Sequence, residues 1–503
     1  RKELARYPDR ADQHSHYSRL LLKAGLGEAA RAEARRAVEL EPHSAAAYAN
    51  LGRTLTYDLL GRHFRPGIDW AGAAEAYGKA LELDPSDVAI RMDYAILLEH
   101  DEDGLRYAPG TRLDEAVAEY RKAQRQLGPR NRLDQLEVNL ALALLFSEKY
   151  AELEKLAARA EKSTAWRGFL VAAVAARQGV LDADRKATEI SADADARREI
   201  VQNAAEYLQQ ARLYAQSSTL YEAAAQGSAK TEELRAKAKA FAGMRRMGDA
   251  ELAQDAPRRL VQQLLVAGIS GNKARAKIPA LFVSTASLAD RTAALESLYR
   301  AVRPALETAR ENQVPPLRIV DGVLQAEIKV EGDATAGFLL RVSGEQLNNS
   351  IWRVVIEQGQ ARLLPPAARV GMPRKGGDQI EQWNNQVWAA VVSGKVNQQV
   401  LDDALSAVKG TKQENAFCLH TLATVYAELG KTPEALENLC RAVEIRGDRV
   451  EEEDWYVLGR IAEDYGLDEV AAGLYRKVPA KPAAADDVYV LAQRRLKKAG
   501  NFN

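Results

Sequence analysis

The chain has 503 residues and carries 70 Lys and Arg against 70 Asp and Glu, so its formal net charge is zero. This balance argues against a general nucleic-acid-binding protein, although it says nothing about local charged patches. Aromatic residues make up 6% and charged residues 28% of the chain, which fits stacked amphipathic helices better than a dense β core. No apolar run is as long as a membrane span.

An internal repeat occupies the first part of the chain. The segment "RHFRPGIDWAGAAEAY", which begins at Arg62, aligns without a gap on the segment that ends in "RYAPGTRLDEAVAEY". Pro66 lies 43 residues before Pro109, and the same offset separates Tyr77 from Tyr120. One shift therefore covers two predicted helices and their connection, which is typical of a repeat architecture.

The repeated segments resemble the tetratricopeptide repeat. The resemblance lies in "AAAYANLG" at 45–52, "WAGAAEAYGKALELDP" at 70–85 and "DWYVLGRIAEDYG" at 454–466. That motif puts small residues where two helices cross and a proline after the second helix. The usual unit of about 34 residues is longer here by roughly nine, which predicts inserted loops at 62–70 and 105–113.

The inserted loops have two open roles. The equivalent residues Phe64 and Tyr107 would stack and brace the loops against each other, or they would form a tip that binds a partner. Both residues are therefore candidates for partner binding.

Later elements follow in chain order. Three clear repeats fill residues 1 to about 128, and a weaker helical pattern continues to about 250. Helical patterns at about 255–270, 273–283 and 288–312 then precede a Val- and Ile-rich stretch cut by Gly-Asp and Ser-Gly turns. This order predicts an α+β domain with a meander of about four strands.

This middle region, residues 255–366, resembles the nuclear transport factor 2-like fold in its element order and in its "GDATA" turn. The resemblance implies a cone-shaped domain that often holds a pocket. Asp321, Glu327 and Glu331 lie in or beside the predicted strands, and we expect them on a solvated sheet face. We expect Trp352 in the core or at its rim.

A Pro- and Gly-rich linker at 365–378 precedes a helical pair, two further repeats and a final helix that would solvate the end of the array. We therefore predict a mainly α protein, with two tetratricopeptide-type arrays (an α-solenoid) flanking a small α+β domain. The predicted domains are 1–250, 251–370 and 371–503.

The resemblance also names a concave, partner-binding face on the first helix of each repeat. It carries over to Arg19 and Arg53 near the N-terminus and to Tyr456 and Arg460 near the C-terminus. Two arginines 34 residues apart would suit a carboxylate or an acidic peptide, or they would pair with neighbouring glutamates. The expected partner is a protein, or the subunits of a larger complex, and not a nucleic acid or a membrane.

Several segments, among them 99–123 and 422–447, are similar to large bacterial tetratricopeptide proteins that often carry a transglutaminase-like domain of the papain type. This implies either a scaffold or the regulatory or targeting region of a larger transglutaminase-like or peptidase enzyme. No catalytic residue carries over, because Cys418 and His420 lie on one predicted helix, whereas a thiol protease brings these residues from separate elements.

The absence of other catalytic motifs also favours a protein without catalysis. The six histidines have no metal-ligand spacing, and no phosphate-loop signature occurs. We therefore predict no enzyme, no metal and no cofactor. Cys418 and Cys440 fall on predicted repeat helices, so we expect buried thiols.

The sequence is compatible with two cellular compartments. The chain opens at "RKELARYP" without Met, so we expect that a segment preceding it was removed or lies outside the sequence. With the wider kinship, this favours the bacterial periplasm or another extracytoplasmic site, and the cytoplasm is the alternative.

Overall fold

The computed structural model describes residues 9–128, 134–160, 163–246, 252–270, 272–344, 347–365, 377–411, 415–480 and 488–500. The chain divides into two compact units. The first contains Arg1–Ala76, Thr292–Arg300 and Pro366–Asn503, and the second contains Tyr77–Arg291 and Ala301–Pro365. The three-domain division stays a prediction, and most of the predicted linker at 365–378 lies outside the described residues.

The N-terminal helices form hairpins of the tetratricopeptide type. They are α1 (Ala11–Lys23), α2 (Gly27–Leu40), α3 (Ala45–Leu55), α4 (Trp70–Leu83), α5 (Val88–Leu98) and α6 (Leu113–Leu127). Ala30, Ala34 and Ala37 of α2 are fully buried, because only small side chains fit where the paired helices cross. Ser44 caps α3 by accepting a hydrogen bond from the backbone N–H of Ala47 at 3.2 Å.

The two inserted loops have the same backbone. The first spans residues 56–69 and the second spans residues 99–112. Each contains an antiparallel bridge, formed by Tyr57 with His63 in the first loop and by His100 with Arg106 in the second. The shift of 43 residues that aligns the sequences therefore also aligns the loop conformations.

An aspartate organises each loop. The Asp58 carboxylate accepts hydrogen bonds from the backbone N–H groups of Leu60 at 2.9 Å and Arg62 at 2.8 Å. The Asp101 carboxylate does the same for Asp103 at 3.0 Å and Leu105 at 2.8 Å. These are turns in which an aspartate side chain replaces a backbone acceptor.

Both loops also contain a strained aromatic residue. Phe64 has a φ of 46° and Tyr107 has a φ of 58°, which is the left-handed region that bulky residues seldom adopt. Such a conformation costs roughly 1–3 kcal/mol and persists where neighbouring contacts determine it.

The second unit continues with helical hairpins. These helices are α7 (Asp134–Phe146), α8 (Tyr150–Ala160), α9 (Thr164–Gln178), α10 (Val180–Ile190), α11 (Ala194–Gln210), α12 (Tyr214–Ala225) and α13 (Thr231–Ala242). Stacked rings hold adjacent helices, as in the parallel contact of Phe169 with Tyr207, whose centroids are 3.8 Å apart.

A small α+β region follows, most of which belongs to the second unit. Its helices are α14 (Ala256–Ile269), α15 (Asn272–Arg275), α16 (Leu288–Glu311) and α17 (Pro316–Val323), and its strands are β1 (Glu327–Asp333), β2 (Gly337–Gly344), β3 (Leu347–Glu357) and β4 (Gln360–Leu364). The strands form an antiparallel sheet in the order β1-β2-β3-β4. The predicted four-stranded meander is confirmed.

The sheet turns one face towards α14. Leu340 pairs with Trp352, and Val354 pairs with Leu363. All four side chains are buried, and α14 packs against β2, β3 and β4. The expected burial of Trp352 is confirmed, and the opposite face carries exposed residues, including Glu327 and Glu331.

Two sequence predictions for this region were wrong. The helix expected at 273–283 is the short α15 followed by a 3-10 turn at Ile278–Leu281. Asp321 lies on a helix and is fully buried, whereas a solvated sheet face was expected. Asp321 lies on a helix and not on a strand because Pro315 and Pro316 give the chain the fixed φ that the first turn of α17 requires.

Asp321 instead binds the helical hairpins of its unit. Its carboxylate accepts two hydrogen bonds from the Arg212 guanidinium, at 2.5 and 2.8 Å, and a third from the Tyr214 hydroxyl at 2.6 Å. A buried carboxylate needs such compensation, so these three residues join α17 to α12 and to the turn before it.

The C-terminal helices belong to the first unit. They are α18 (Gly377–Val392), α19 (Gln398–Gly410), α20 (Ala416–Glu428), α21 (Thr432–Ile445), α22 (Asp454–Asp464), α23 (Asp468–Arg476) and α24 (Val488–Gly500). The chain is thus mainly α-helical, with tetratricopeptide-type hairpins before and after a small α+β region, as the sequence predicts.

One hydrophobic core serves both ends of the chain in the first unit. Leu21, Leu22 and Leu60 from the N-terminal hairpins belong to the same buried cluster as Leu419 and Leu458. Gly27 allows close contact within this unit, because a Cβ there would lie 2.1 Å from the carbonyl oxygen of Asp58. Among the described cysteines, Cys418 is buried and Cys440 is partly buried, and both are free thiols.

Candidate partner-binding surface

The first helix of each hairpin, which we call its A helix, is α1 in the first hairpin and α3 in the second, and a polar group joins these two helices. Arg19 on α1 is exposed and donates a hydrogen bond to the side-chain oxygen of Asn50 on α3, at 3.1 Å. Asn50 is buried and its amide donates to the Ser18 hydroxyl at 3.0 Å. Asn50 was missed from the sequence, although a polar residue inside a repeat helix is a visible signal.

Arg53 lies on the same face of α3 as Asn50. It is three residues further along the helix, a spacing at which side chains are neighbours, and it is exposed. Leu20, next to Arg19, is a large apolar side chain that is 45% exposed. The surface around Asn50 that carries Arg19 and Arg53, which we call the arginine face, is therefore positively charged.

The chemistry of the arginine face suits an anion. A guanidinium has five N–H donors in a planar fork, and Arg19 uses one of them on Asn50. Arginine pairs well with carboxylates because two parallel hydrogen bonds form at once. A carboxylate of a partner would thus find a guanidinium whose orientation Asn50 already restricts.

Tyr456 and Arg460 occupy a different environment. The Tyr456 hydroxyl donates to Glu428 at 2.6 Å, and Arg460 donates to Glu428 at 3.0 Å and to Glu463 at 2.6 Å. Both are buried. They therefore belong to a charge network inside the C-terminal hairpins, and their contact with a partner stays a prediction.

The final helix completes this network. Arg495 of α24 donates to Glu428 at 2.5 Å and to Glu463 at 3.4 Å. Burial works against the ionised form of Glu463, but the Tyr475 hydroxyl and the charges of Arg460 and Arg495 hold the pKa of this carboxyl below its usual value. Arg495 thus shares the carboxylates of Glu428 and Glu463 with Tyr456 and Arg460, the two residues that the sequence predicts on a partner-binding face.

The aromatic residues of the inserted loops have partners in their own units. Phe64 is half-buried, and its ring centroid lies 4.2 Å from that of His63. Tyr107 is 5% exposed, and its ring centroid lies 4.2 Å from that of Phe146 on α7. These contacts support a structural role for each ring. Mutual bracing and partner binding by the two residues stay predictions.

The described residues hold neither a metal site nor a membrane-spanning helix. Among the described residues, no group of three or more His, Cys, Asp and Glu side chains has the arrangement of a metal site. Within the same part of the chain, no helix combines the length and the apolar composition that crossing a bilayer requires.

Comparisons with known proteins do not assign the chain to a family. No protein-family model matches the chain, and no curated protein matches it. Among solved structures, PilF of Pseudomonas aeruginosa is 18% identical over 45% of this chain and 97% of its own, with a TM-score of 0.28. Naa15/Naa10 bound to HypK-THB is 14% identical over 99% of this chain and 69% of its own, with a TM-score of 0.30. Yeast Tom70 is 12% identical over 98% of this chain and 96% of its own, with a TM-score of 0.22. At TM-scores this low, the likenesses carry no argument about function.

Proposed function

We propose that the chain is a non-catalytic protein-interaction scaffold whose arginine face binds an acidic segment of a partner protein. The observation that carries the proposal is the exposure of Arg19 and Arg53 on neighbouring A helices, with Arg19 held by Asn50. Repeat proteins use extended faces of this kind for binding.

The C-terminal hairpins supply a contrast inside the same unit. There Tyr456 and Arg460, at the corresponding steps, donate to Glu428, which also accepts a hydrogen bond from Arg495 of α24. A partner would have to displace that helix and leave Glu428 and Glu463 without their arginine, which costs free energy for partly buried charges. On the arginine face, by contrast, Arg19 and Arg53 are both exposed.

The experiment uses a fluorescein-labelled peptide rich in Glu and Leu, with a free carboxyl terminus, and the whole chain. We expect saturable binding by fluorescence anisotropy that weakens as salt increases, because the charges are exposed. Arg19→Glu together with Arg53→Glu should weaken binding at least tenfold.

The matched control is Arg35→Glu together with Arg36→Glu. Both arginines are exposed on α2, so the charge change is the same but lies away from the arginine face. The affinity of this double variant should stay within twofold of the wild type. Equal losses in the two variants would mean that the peptide responds only to net charge.

Two alternative functions are tested by separate experiments. The resemblance to transglutaminase-associated proteins implies a regulatory or targeting region of a larger enzyme, which the mass of the native protein and the continuing reading frame would reveal. The resemblance of residues 255–366 to the nuclear transport factor 2-like fold implies a small-molecule site, which a thermal-shift screen would detect. A periplasmic or other extracytoplasmic location in a bacterium is also a proposal, tested by fractionation.

A further inference from the structure

An apolar cavity of about 210 Å³ opens in the first unit, between the first hairpin and the last one. Its walls include Leu26, Leu59, Trp455, Leu458, Val470 and Leu474. Leu59 comes from the first inserted loop, so the insertion that lengthens the repeat also supplies part of this wall. The cavity is separate from the arginine face and does not depend on the proposed function.

Two charged residues form the polar part of the lining. Lys477 and Glu28 are ion-paired, and the Lys477 ammonium lies 4.6 Å from the centroid of the Trp455 ring. Both side chains are partly exposed, at 39% and 46%. Because the remaining lining is apolar, the inner part of a ligand must be apolar as well, since an unpaired polar group there would lose its hydration.

The volume limits the size of that apolar part. An engineered protein cavity of about 150 Å³ accepts benzene. The cavity here exceeds that volume enough for one aromatic ring and a short alkyl chain. Trp455 offers the ring a flat partner of the kind that aromatic groups prefer.

Lys477 determines the charge of the ligand's other end. An ammonium has three donors, and Glu28 is its acceptor here, so a second carboxylate can bind it. A cationic ligand would have to compete with Lys477 both for Glu28 and for the face of Trp455. A carboxylate would share the ammonium with Glu28 and meet its negative charge, but it would leave the contact of Lys477 with Trp455 intact, so an anionic end is favoured over a cationic one.

We propose that this cavity binds a small arylalkanoate, a single aromatic ring joined by a short chain to a carboxylate. The ring lies among the leucines beside Trp455, and the carboxylate pairs with Lys477.

Gly473 provides a variant that fills the cavity without disturbing the fold. It lines the cavity and lies inside α23, and a Cβ built on it meets no atom within 4 Å. Leucine also has a higher helix propensity than glycine. Gly473→Leu should therefore fold and occupy the space. Gly78→Leu is the matched control, because Gly78 lies inside α4, a Cβ there also meets no atom within 4 Å, and it does not line the cavity.

The test titrates the whole chain with 3-phenylpropionate, 3-phenylpropanol and 3-phenylpropylamine, using tryptophan fluorescence and calorimetry. We expect one saturable site, with the acid binding at least tenfold more tightly than the amine. Gly473→Leu should weaken the acid at least tenfold, and Gly78→Leu should leave it unchanged. Lys477→Met should bring the acid down to the affinity of the alcohol. No binding by the wild type, undiminished binding by Gly473→Leu, or tighter binding of the amine would overturn the proposal.

Discussion

The guanidinium of Arg62 lies 2.9 Å from the carboxylate of Asp448 and 2.7 Å from that of Asp58. Asp58 organises the first inserted loop, and Asp448 lies in the turn after α21. The side chain of Arg62 is only 12% exposed, and those of its two partners are less exposed still. One cation therefore compensates two nearly buried carboxylates and ties the inserted loop to the C-terminal hairpins within the first unit.

Replacing Arg62 should destabilise this unit strongly. Arg62→Met leaves Asp58 and Asp448 without their shared cation, and removing one partner of a buried ion pair typically costs about 3–5 kcal/mol. Urea unfolding, together with hydrogen exchange of the α21 amides, measures the loss. The control Arg36→Met breaks an exposed pair and should change stability by less than about 0.5 kcal/mol. An equally small change in Arg62→Met would contradict the idea that Arg62 ties the first inserted loop to the C-terminal hairpins.

Tyr107 should stabilise the second unit through its ring and not through its hydroxyl. Tyr107→Ala removes a buried ring from Phe146 and should cost about 3–5 kcal/mol. The hydroxyl is buried, and among the described residues it makes no hydrogen bond of normal geometry, although the Arg106 guanidinium lies close to it. Tyr107→Phe should therefore be neutral or stabilising, because it removes an unsatisfied polar group. Thermal unfolding of both variants checks this, and a costly Tyr107→Phe would mean that the hydroxyl is bonded.

Glu99 should make the stability of the second unit depend on pH. It is fully buried and accepts hydrogen bonds from Arg106 at 2.8 and 2.6 Å. Burial raises the pKa of Glu99 from 4.5 to about 7, against the opposing charge of Arg106. The folded state thus holds a proton that the unfolded chain releases near pH 4.5, and this stabilisation is lost as the pH rises through about 7.

The comparison of wild type with Glu99→Gln isolates this effect. The difference in unfolding free energy between them should fall by roughly 3 kcal/mol from pH 4.5 to pH 8, as measured by urea unfolding across that range. Burial also raises the pKa of Asp101 to about 6, but Asp101 is present in both proteins and its contribution cancels. A difference that is constant or rises with pH would contradict the assignment.

The C-terminal helix should depend on Arg495. Arg495→Met removes the donor to Glu428 and Glu463, and hydrogen bonds to charged groups contribute about 1.5–3 kcal/mol. Hydrogen exchange of the α24 amides should quicken accordingly. Lys498→Met, an exposed residue of the same helix, should leave the exchange unchanged. Equal exchange in both variants would show that apolar packing alone holds α24.

Local sequence patterns predicted local structure well. The offset that pairs Pro66 with Pro109 also pairs Phe64 with Tyr107, and both aromatic residues adopt the same left-handed backbone. This succeeds because turn geometry depends on residues close in sequence, such as the aspartate and glycine of each loop.

Long-range relationships were not predictable in this way. Nothing near Arg62 in the sequence indicates Asp448, and nothing near Tyr456 indicates that Arg495 completes its network. The prediction for Asp321 failed for a different reason. The apolar pattern around it suits either a strand or a short helix, and its partners Arg212 and Tyr214 are distant in sequence. Residue spacing reports which face a side chain occupies, but not which later segment covers that face.

The measurement that tests the scaffold proposal most directly is a photo-cross-link. A photoreactive residue placed at Leu20, beside Arg19, is compared with the same residue at Leu405 on α19, which is similarly exposed at 41% against 45%. The probe is the labelled acidic peptide. We predict a salt-sensitive adduct at position 20 that disappears with Arg53→Glu, and none at position 405. Equal adducts at both positions, or saturable binding without an adduct at position 20, would contradict the account.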